Sequence, residues 1–167
     1  MASALTFPRL MRYTESEPLA AKICRENCFA EAPKRILFLD DNSTLRDMLC
    51  ETVLKDYNAE FVPCGTVTEA RRILETQPID AVLLDIRLGD GNGIDLYAAL
   101  VKTRPELEVV FLTAWADTTH RALIEKIGPA RVFAKERLAE FDFVERLLAQ
   151  LHVSRRRQSA APFQPGA

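Results

Sequence analysis

From Lys34 onward the chain alternates short apolar runs with amphipathic stretches. The runs are Ile36–Leu39, Glu60–Pro63, Ala81–Leu84, Val109–Leu112 and Val132–Ala134. Most are continuous rather than alternating, as strands covered on both faces should be, and this predicts a parallel sheet. Between the first two runs, Leu45, Met48, Leu49, Thr52 and Val53 recur at helical spacing and predict a helix with one face on the sheet. The next stretch opens with Thr66 and Glu69 in capping-box spacing, and Ala70, Ile73 and Leu74 form its apolar stripe. Two further helices are expected from about Gly93 to Thr103 and from about Asp117 to Ile127. A last one is marked by Phe141, Val144, Leu147, Leu148 and Leu151, which step by three and four.

Five βα units with right-handed crossovers leave few topologies. The expected fold is α/β, a flavodoxin-like doubly wound (βα)5 sandwich with parallel strand order 2-1-3-4-5. One domain is expected over residues 34–152. Before it, residues 1–33 mix Pro, Glu, Ser and Thr and read as an extension, with Pro18–Phe29 a candidate short helix. After it, residues 153–167, with Arg155–Arg157 and a Ser/Ala/Pro/Gln tail, read as disordered.

Composition narrows the function classes. The 167 residues carry a formal net charge of −2 and are 48% hydrophobic, which describes a globular protein rather than a disordered or strongly nucleic-acid-binding one. No apolar run approaches the roughly 20 residues of a spanning helix, and the N-terminus lacks a signal-peptide layout, so no membrane insertion and a cytoplasmic location are expected. Cys24, Cys28, Cys50 and Cys64 form no disulfide framework and should be free thiols; Cys24 and Cys28 lack the partners of a metal site.

In a doubly wound sheet, ligands sit outside the carboxyl ends of the strands. The first run ends in Asp40 and Asp41, the third in Asp85, the fourth in Thr113 and the fifth in Lys135. Carboxylates gathered there repel one another, by about 4 kcal/mol for a pair at roughly 4 Å and an effective dielectric near 20. A cation must offset that, and the two candidates are the Lys135 ammonium and Mg²⁺, which suits one or two carboxylates plus waters and leaves room for phosphate oxygens. With Thr113 and Lys135 beside it, Asp85 has the surroundings of a carboxylate that attacks a phosphoryl group.

Four segments, Arg35–Asp41 (RILFLDD), Asp85–Leu96 (DIRLGDGNGIDL), Val109–Ala114 (VVFLTA) and Lys135 after a short strand, give a pattern that resembles the response-regulator receiver domains over about residues 34–152. The resemblance implies that Asp85 is the phosphoacceptor, that Asp40, Asp41, Asp85 and the Arg87 backbone carbonyl hold Mg²⁺, and that Thr113 and Lys135 contact the phosphoryl group. It implies a histidine kinase or phosphotransfer protein as donor. The output partner would be a protein on the face of the fourth helix, fifth strand and last helix, without direct nucleic-acid contact. Such a chain is a signalling domain, not an enzyme, beyond self-catalysed phosphotransfer and autodephosphorylation.

The sequence departs from the family pattern at three positions. Glu136 stands where Pro usually follows the lysine, Gly89 replaces a frequent Pro, and Val132 occupies the place of a switch aromatic, with Phe133 next to it assigned to the core. Two other functions compete. A degenerate receiver acting as a scaffold is opposed by the survival of all five site residues. A small Asp-nucleophile phosphohydrolase of haloacid-dehalogenase type would need DxDx[TV] after the first strand, where Asp40-Asp41-Asn42 stands.

Overall fold

The computed structural model describes residues 32–156. Five strands form one parallel sheet: β1 (Lys34–Leu39), β2 (Ala59–Cys64), β3 (Ala81–Leu84), β4 (Glu108–Thr113) and β5 (Arg131–Ala134). Their order is β2-β1-β3-β4-β5, the expected doubly wound arrangement. The helices are α1 (Ser43–Met48), α2 (Val67–Thr76), α3 (Gly93–Thr103), α4 (Thr118–Ile127) and α5 (Phe143–Gln150).

The strands run apolar because both faces are covered. Leu37, Leu39, Val82, Leu84, Val109 and Phe111 point into one core layer with Ala70 and Ile73 of α2, Tyr97 and Leu100 of α3 and Ile124 of α4. Ile36, Phe38, Leu83, Val110 and Leu112 point into the other, with Leu49 and with Phe143, Leu147 and Leu148 of α5. Side chains still alternate along each strand, as the pleat requires. Val132 accordingly packs toward the first layer and Phe133 toward the second, where its ring meets Phe143 edge-on at 5.6 Å. Phe133 is therefore a core residue, and the switch aromatic is absent from position 132.

Local signals account for the helix starts. Thr66 Oγ1 accepts from Glu69 N at 3.1 Å and Glu69 Oε2 accepts from Gly65 N at 3.2 Å, so the Thr/Glu pair works at the start of α2, with the glutamate reaching one residue beyond the cap. Asn42, Asn92 and Asp117 cap α1, α3 and α4 with their side chains.

Three expectations need correction. Met48 was expected on the packing face of the first helix but is 47% exposed. After Met48 the helix loosens into a π-turn at Leu49–Val53 and a 3₁₀ turn at Leu54–Asp56, which puts Leu49 and Leu54 inward and Met48 outward. The side chains of Thr52 and Val53 lie outside the described part. Phe141 precedes α5 and is fully exposed, whereas Phe143, which opens the helix, is fully buried and takes its place in the stripe. Finally, residues 153–156 are held by hydrogen bonds although only Val153 is buried: Asn58 N donates to Ser154 O at 2.8 Å, and Arg156 donates from N to Asp56 O and from Nε to Tyr57 O, both at 2.8 Å. The Pro18–Phe29 helix, Cys24, Cys28 and residues 157–167 lie outside the described residues.

Candidate functional site

Register places the candidate residues. Leu39 of β1 pairs with Leu84 of β3, so the next residues, Asp40 and Asp85, emerge side by side at the carboxyl edge. Asp85 N donates to Leu39 O at 2.9 Å and fixes that juxtaposition. Thr113 ends β4 opposite Ala134, which places Lys135 just beyond. Asp40, Asp85 and Thr113 are the buried polar residues among the apolar strand ends, and Asp41 is exposed beside them.

Asp40, Asp41 and Asp85 each offer a carboxylate oxygen within 4.8 Å of the others. Lys135 Nζ stands 2.6 Å from Asp40 Oδ2 and 2.5 Å from Asp85 Oδ2. The second contact is a hydrogen bond, and the first is a close ion pair that brings the same ammonium against the buried Asp40 Oδ2. Asp40 Oδ1 accepts from Asn42 N at 3.0 Å and Asp85 Oδ1 from Ile86 N at 2.7 Å. Burial pushes the Asp40 carboxyl above its ordinary range, against the opposing pull of Lys135 and the Asn42 N–H. Burial also pulls the Lys135 ammonium down, but Asp40 and Asp85 outweigh it and the group titrates above the ordinary lysine range.

The departures from the family pattern leave this geometry in place. All peptide bonds among the described residues are trans; Lys135 opens a 3₁₀ turn, Lys135–Ala139, and still reaches both carboxylates without a following proline. Thr113 Oγ1 accepts from Trp115 N at 3.1 Å, which leaves its own O–H free to donate. Trp115 is 46% exposed, and the Arg87 guanidinium lies 4.4 Å from its ring centroid, a stacked cation over an aromatic face.

From Asp85 the chain passes through a small antiparallel ribbon in which Arg87 pairs with Asn92 and Leu88 with Gly91. Gly93 N donates to Ile86 O at 2.8 Å and closes the arch at its base. A Cβ on Gly93 would stand 2.0 Å from Asp85 O, so only glycine fits there. The Asp90 carboxylate at the tip accepts from Val67 N (2.7 Å), Thr68 N (3.0 Å) and Thr68 Oγ1 (2.9 Å) at the start of α2. Those bonds hold the Asp90 carboxyl below its ordinary range.

Sequence reasoning missed Asp90 and also Arg46, whose Nη1 donates to the Asp40 backbone oxygen. Neither has a local signal, because both act across elements. The GDGNG run reads as flexible from composition, yet it is tied at base and tip. Nearby, Cys64 is a buried free thiol that burial pushes up to about 12, which makes it inert rather than reactive.

The donor set suits a hard divalent cation. Carboxylate oxygens are the ligands Mg²⁺ prefers, and three carboxylates converge here within 4.8 Å, where an ion would offset their mutual repulsion. Among the described residues, no helix is long and apolar enough to cross a membrane.

Comparison with known proteins identifies the family. Residues 36–142 match the family model described as the response regulator receiver domain. The chain is similar to the response regulator protein PilR of Pseudomonas aeruginosa, 34% identical over 92 residues, covering 54% of this chain and 20% of PilR. The photosynthetic apparatus regulatory protein RegA of Rhodobacter capsulatus is 28% identical over 128 residues, covering 75% of this chain and 68% of RegA. Among solved structures, the non-phosphorylated HemR receiver domain of Leptospira biflexa is 31% identical with a TM-score of 0.64, covering 75% of this chain and 99% of that domain. The TrrA response regulator of Thermotoga maritima, solved with Mg²⁺ and BeF, shares the fold at a TM-score of 0.60 and 24% identity over 71% of this chain and 98% of that one. The chain spans 20% of PilR and 42% of the transcriptional activator DevR/DosR of Mycobacterium tuberculosis.

Proposed function

The chain belongs to the response-regulator receiver domain family of two-component signalling, and from that premise we propose that it is a phosphorylation switch with Asp85 as acceptor. The observation that carries this is the Lys135 ammonium within 2.6 Å of both Asp40 and Asp85 at the carboxyl edge of the sheet.

A carboxylate oxygen of Asp85 attacks the phosphorus of a donor phosphohistidine. The new O–P bond forms as the N–P bond breaks, and the electron pair stays on the imidazole nitrogen. Lys135, already paired with Asp85, swings its charge to a phosphoryl oxygen, and the free Thr113 O–H donates to another. Asp40, Asp41, Asp85 and the Arg87 carbonyl would hold Mg²⁺, which when bound neutralises phosphoryl charge. The donor is a histidine kinase or phosphotransfer protein in the cytoplasm. Output passes to a protein at the α4–β5–α5 face, where Arg121, Arg131, Val132, Phe133 and Arg146 line a groove of about 710 Å³.

The test is incubation with acetyl phosphate and Mg²⁺ followed by intact mass. Wild type should gain one phosphoryl group, and Asp85→Asn, nearly isosteric but no nucleophile, should gain none. Labelling of the variant at the wild-type level would remove Asp85 from the role.

A further inference from the structure

We propose that Asp90 is a positioning residue for the metal and phosphoryl site, acting through helix α2 on the arch that carries Arg87. The inference rests on the reading of the site given above and assigns a role to a residue that touches none of the reacting groups.

An α-helix leaves its first N–H groups without intrahelical partners. In α2 the Thr66 side chain takes the Glu69 N–H, and the Val67 and Thr68 N–H groups are left over. Asp90 fills that gap from a distant point of the chain, taking both N–H groups and the Thr68 hydroxyl with its two carboxylate oxygens. Its negative charge also faces the positive end of the α2 dipole, and charged acceptors make the stronger bonds. A helix cap of this kind usually comes from the residue just before the helix. Here it comes from the tip of the loop that follows Asp85, so the bonds join the loop to α2 beside the close approach of Gly91 to the Val67 side chain.

The arch has two ends to secure. At its base, Gly93 N–Ile86 O and the contact of Gly93 on Asp85 O hold it against the acceptor. At its middle, Leu88 is buried in the core. The tip, Gly89 and Asp90, has no burial to hold it, and two glycines flank Asp90. The three bonds from α2 are what hold the tip. Between tip and base sits Arg87, whose carbonyl is assigned to the metal in the reading above and whose guanidinium stacks on Trp115. Freeing the tip loosens the ribbon pair Arg87–Asn92 and blurs the position of both groups.

The experiment uses the full chain and two variants, Asp90→Ala and Asp90→Asn. MgCl₂ is titrated into unphosphorylated protein and followed by the amide signals of Asp40 and Asp41, and hydrogen exchange of the amides of residues 87–92 is measured without metal. Asp90→Ala should bind Mg²⁺ about tenfold more weakly, the low end of what loss of an outer support costs a metal site, with faster exchange confined to residues 87–92 and the first turn of α2. Asp90→Asn, which keeps one acceptor oxygen, should fall between Asp90→Ala and wild type in both. A merely structural role predicts a lower melting temperature with unchanged Mg²⁺ affinity, and that result overturns the proposal, as does unchanged exchange in the arch. If wild type itself does not bind Mg²⁺, the reading of the site fails and the proposal fails with it; wild-type binding with an indifferent Asp90→Ala sinks the proposal alone.

Discussion

Lys135 is the residue on which the electrostatics of the site turn. Its side chain is 16% exposed, and it is the ammonium shared by the fully buried Asp40 carboxylate and the nearly buried Asp85. Its raised pKa and the raised pKa of Asp40 have related causes: the carboxylates favour the ammonium, while burial penalises charge on both partners. Removing one partner of a buried pair costs more than the pair contributes, because the remaining charge is left desolvated and alone. Lys135→Ala should therefore lower stability by about 3 kcal/mol without metal. Mg²⁺ held as proposed would bind only the folded site and would stabilise by mass action, by about 1.4 kcal/mol at roughly ten times its dissociation constant. In Lys135→Ala the ion becomes the sole neutralising charge, so its affinity and its rise in melting temperature should exceed those of wild type. Calorimetric melts with and without MgCl₂ check this; an equal or smaller rise in the variant would contradict it.

At the scale of the element, the loop after Asp85 is tightly constrained at its base, and Gly93 shows why. A methyl group there would meet the Asp85 carbonyl oxygen at 2.0 Å, and backbone cannot give way as a flexible side chain does. Gly93→Ala should cost about 3 kcal/mol, the upper part of the overpacking range, and should slow phosphorylation by acetyl phosphate, because relief of the clash displaces the acceptor's own backbone. Denaturant melts and labelling rates measure the two effects, and a variant with wild-type values in both would refute the close approach. Gly93 was legible as part of the segment Asp85–Leu96 that carries the family resemblance, whereas the start of α2 and the span of α3 were legible because their signals are local: a cap and a stripe. Met48 was misplaced because the regular helix ends there and the chain continues as a π-turn, and Phe141 because the stripe was begun two residues before α5 opens at Phe143. A change of helix type has no side-chain signature of its own. Asp90 and residues 153–156 were illegible for a different reason, since their partners lie across the fold and composition alone marks them as solvated loop.

For the molecule as a whole, the proposed switch needs a route from Asp85 to the α4–β5–α5 face that does not depend on an aromatic at position 132. The hydrogen bonds supply a connected route. Thr113 Oγ1 accepts from Trp115 N, so movement of that hydroxyl toward a phosphoryl oxygen drags or breaks the bond and displaces the loop leading to α4. One residue further, the Ala116 carbonyl accepts from Arg121 Nε at 2.9 Å, and Arg121 Nη1 donates at 3.2 Å to the carbonyl of Val132 in β5. A single guanidinium in α4 thus spans the loop and the strand, and its planar fork fixes the relative position of the two carbonyls as a flexible ammonium would not. Coupling requires an element whose arrangement both sites bias, and Arg121 is placed to be that element, bonded at once to the Ala116 and Val132 carbonyls. With beryllofluoride and Mg²⁺ bound at Asp85, wild-type amide signals should shift at Trp115–Ala116 and also at Val132–Ala134. In Arg121→Ala the loop signals should still shift while those of the strand stay at rest, with occupancy verified by fluorine NMR. Undiminished strand shifts in the variant at full occupancy would show that the signal reaches β5 by another path.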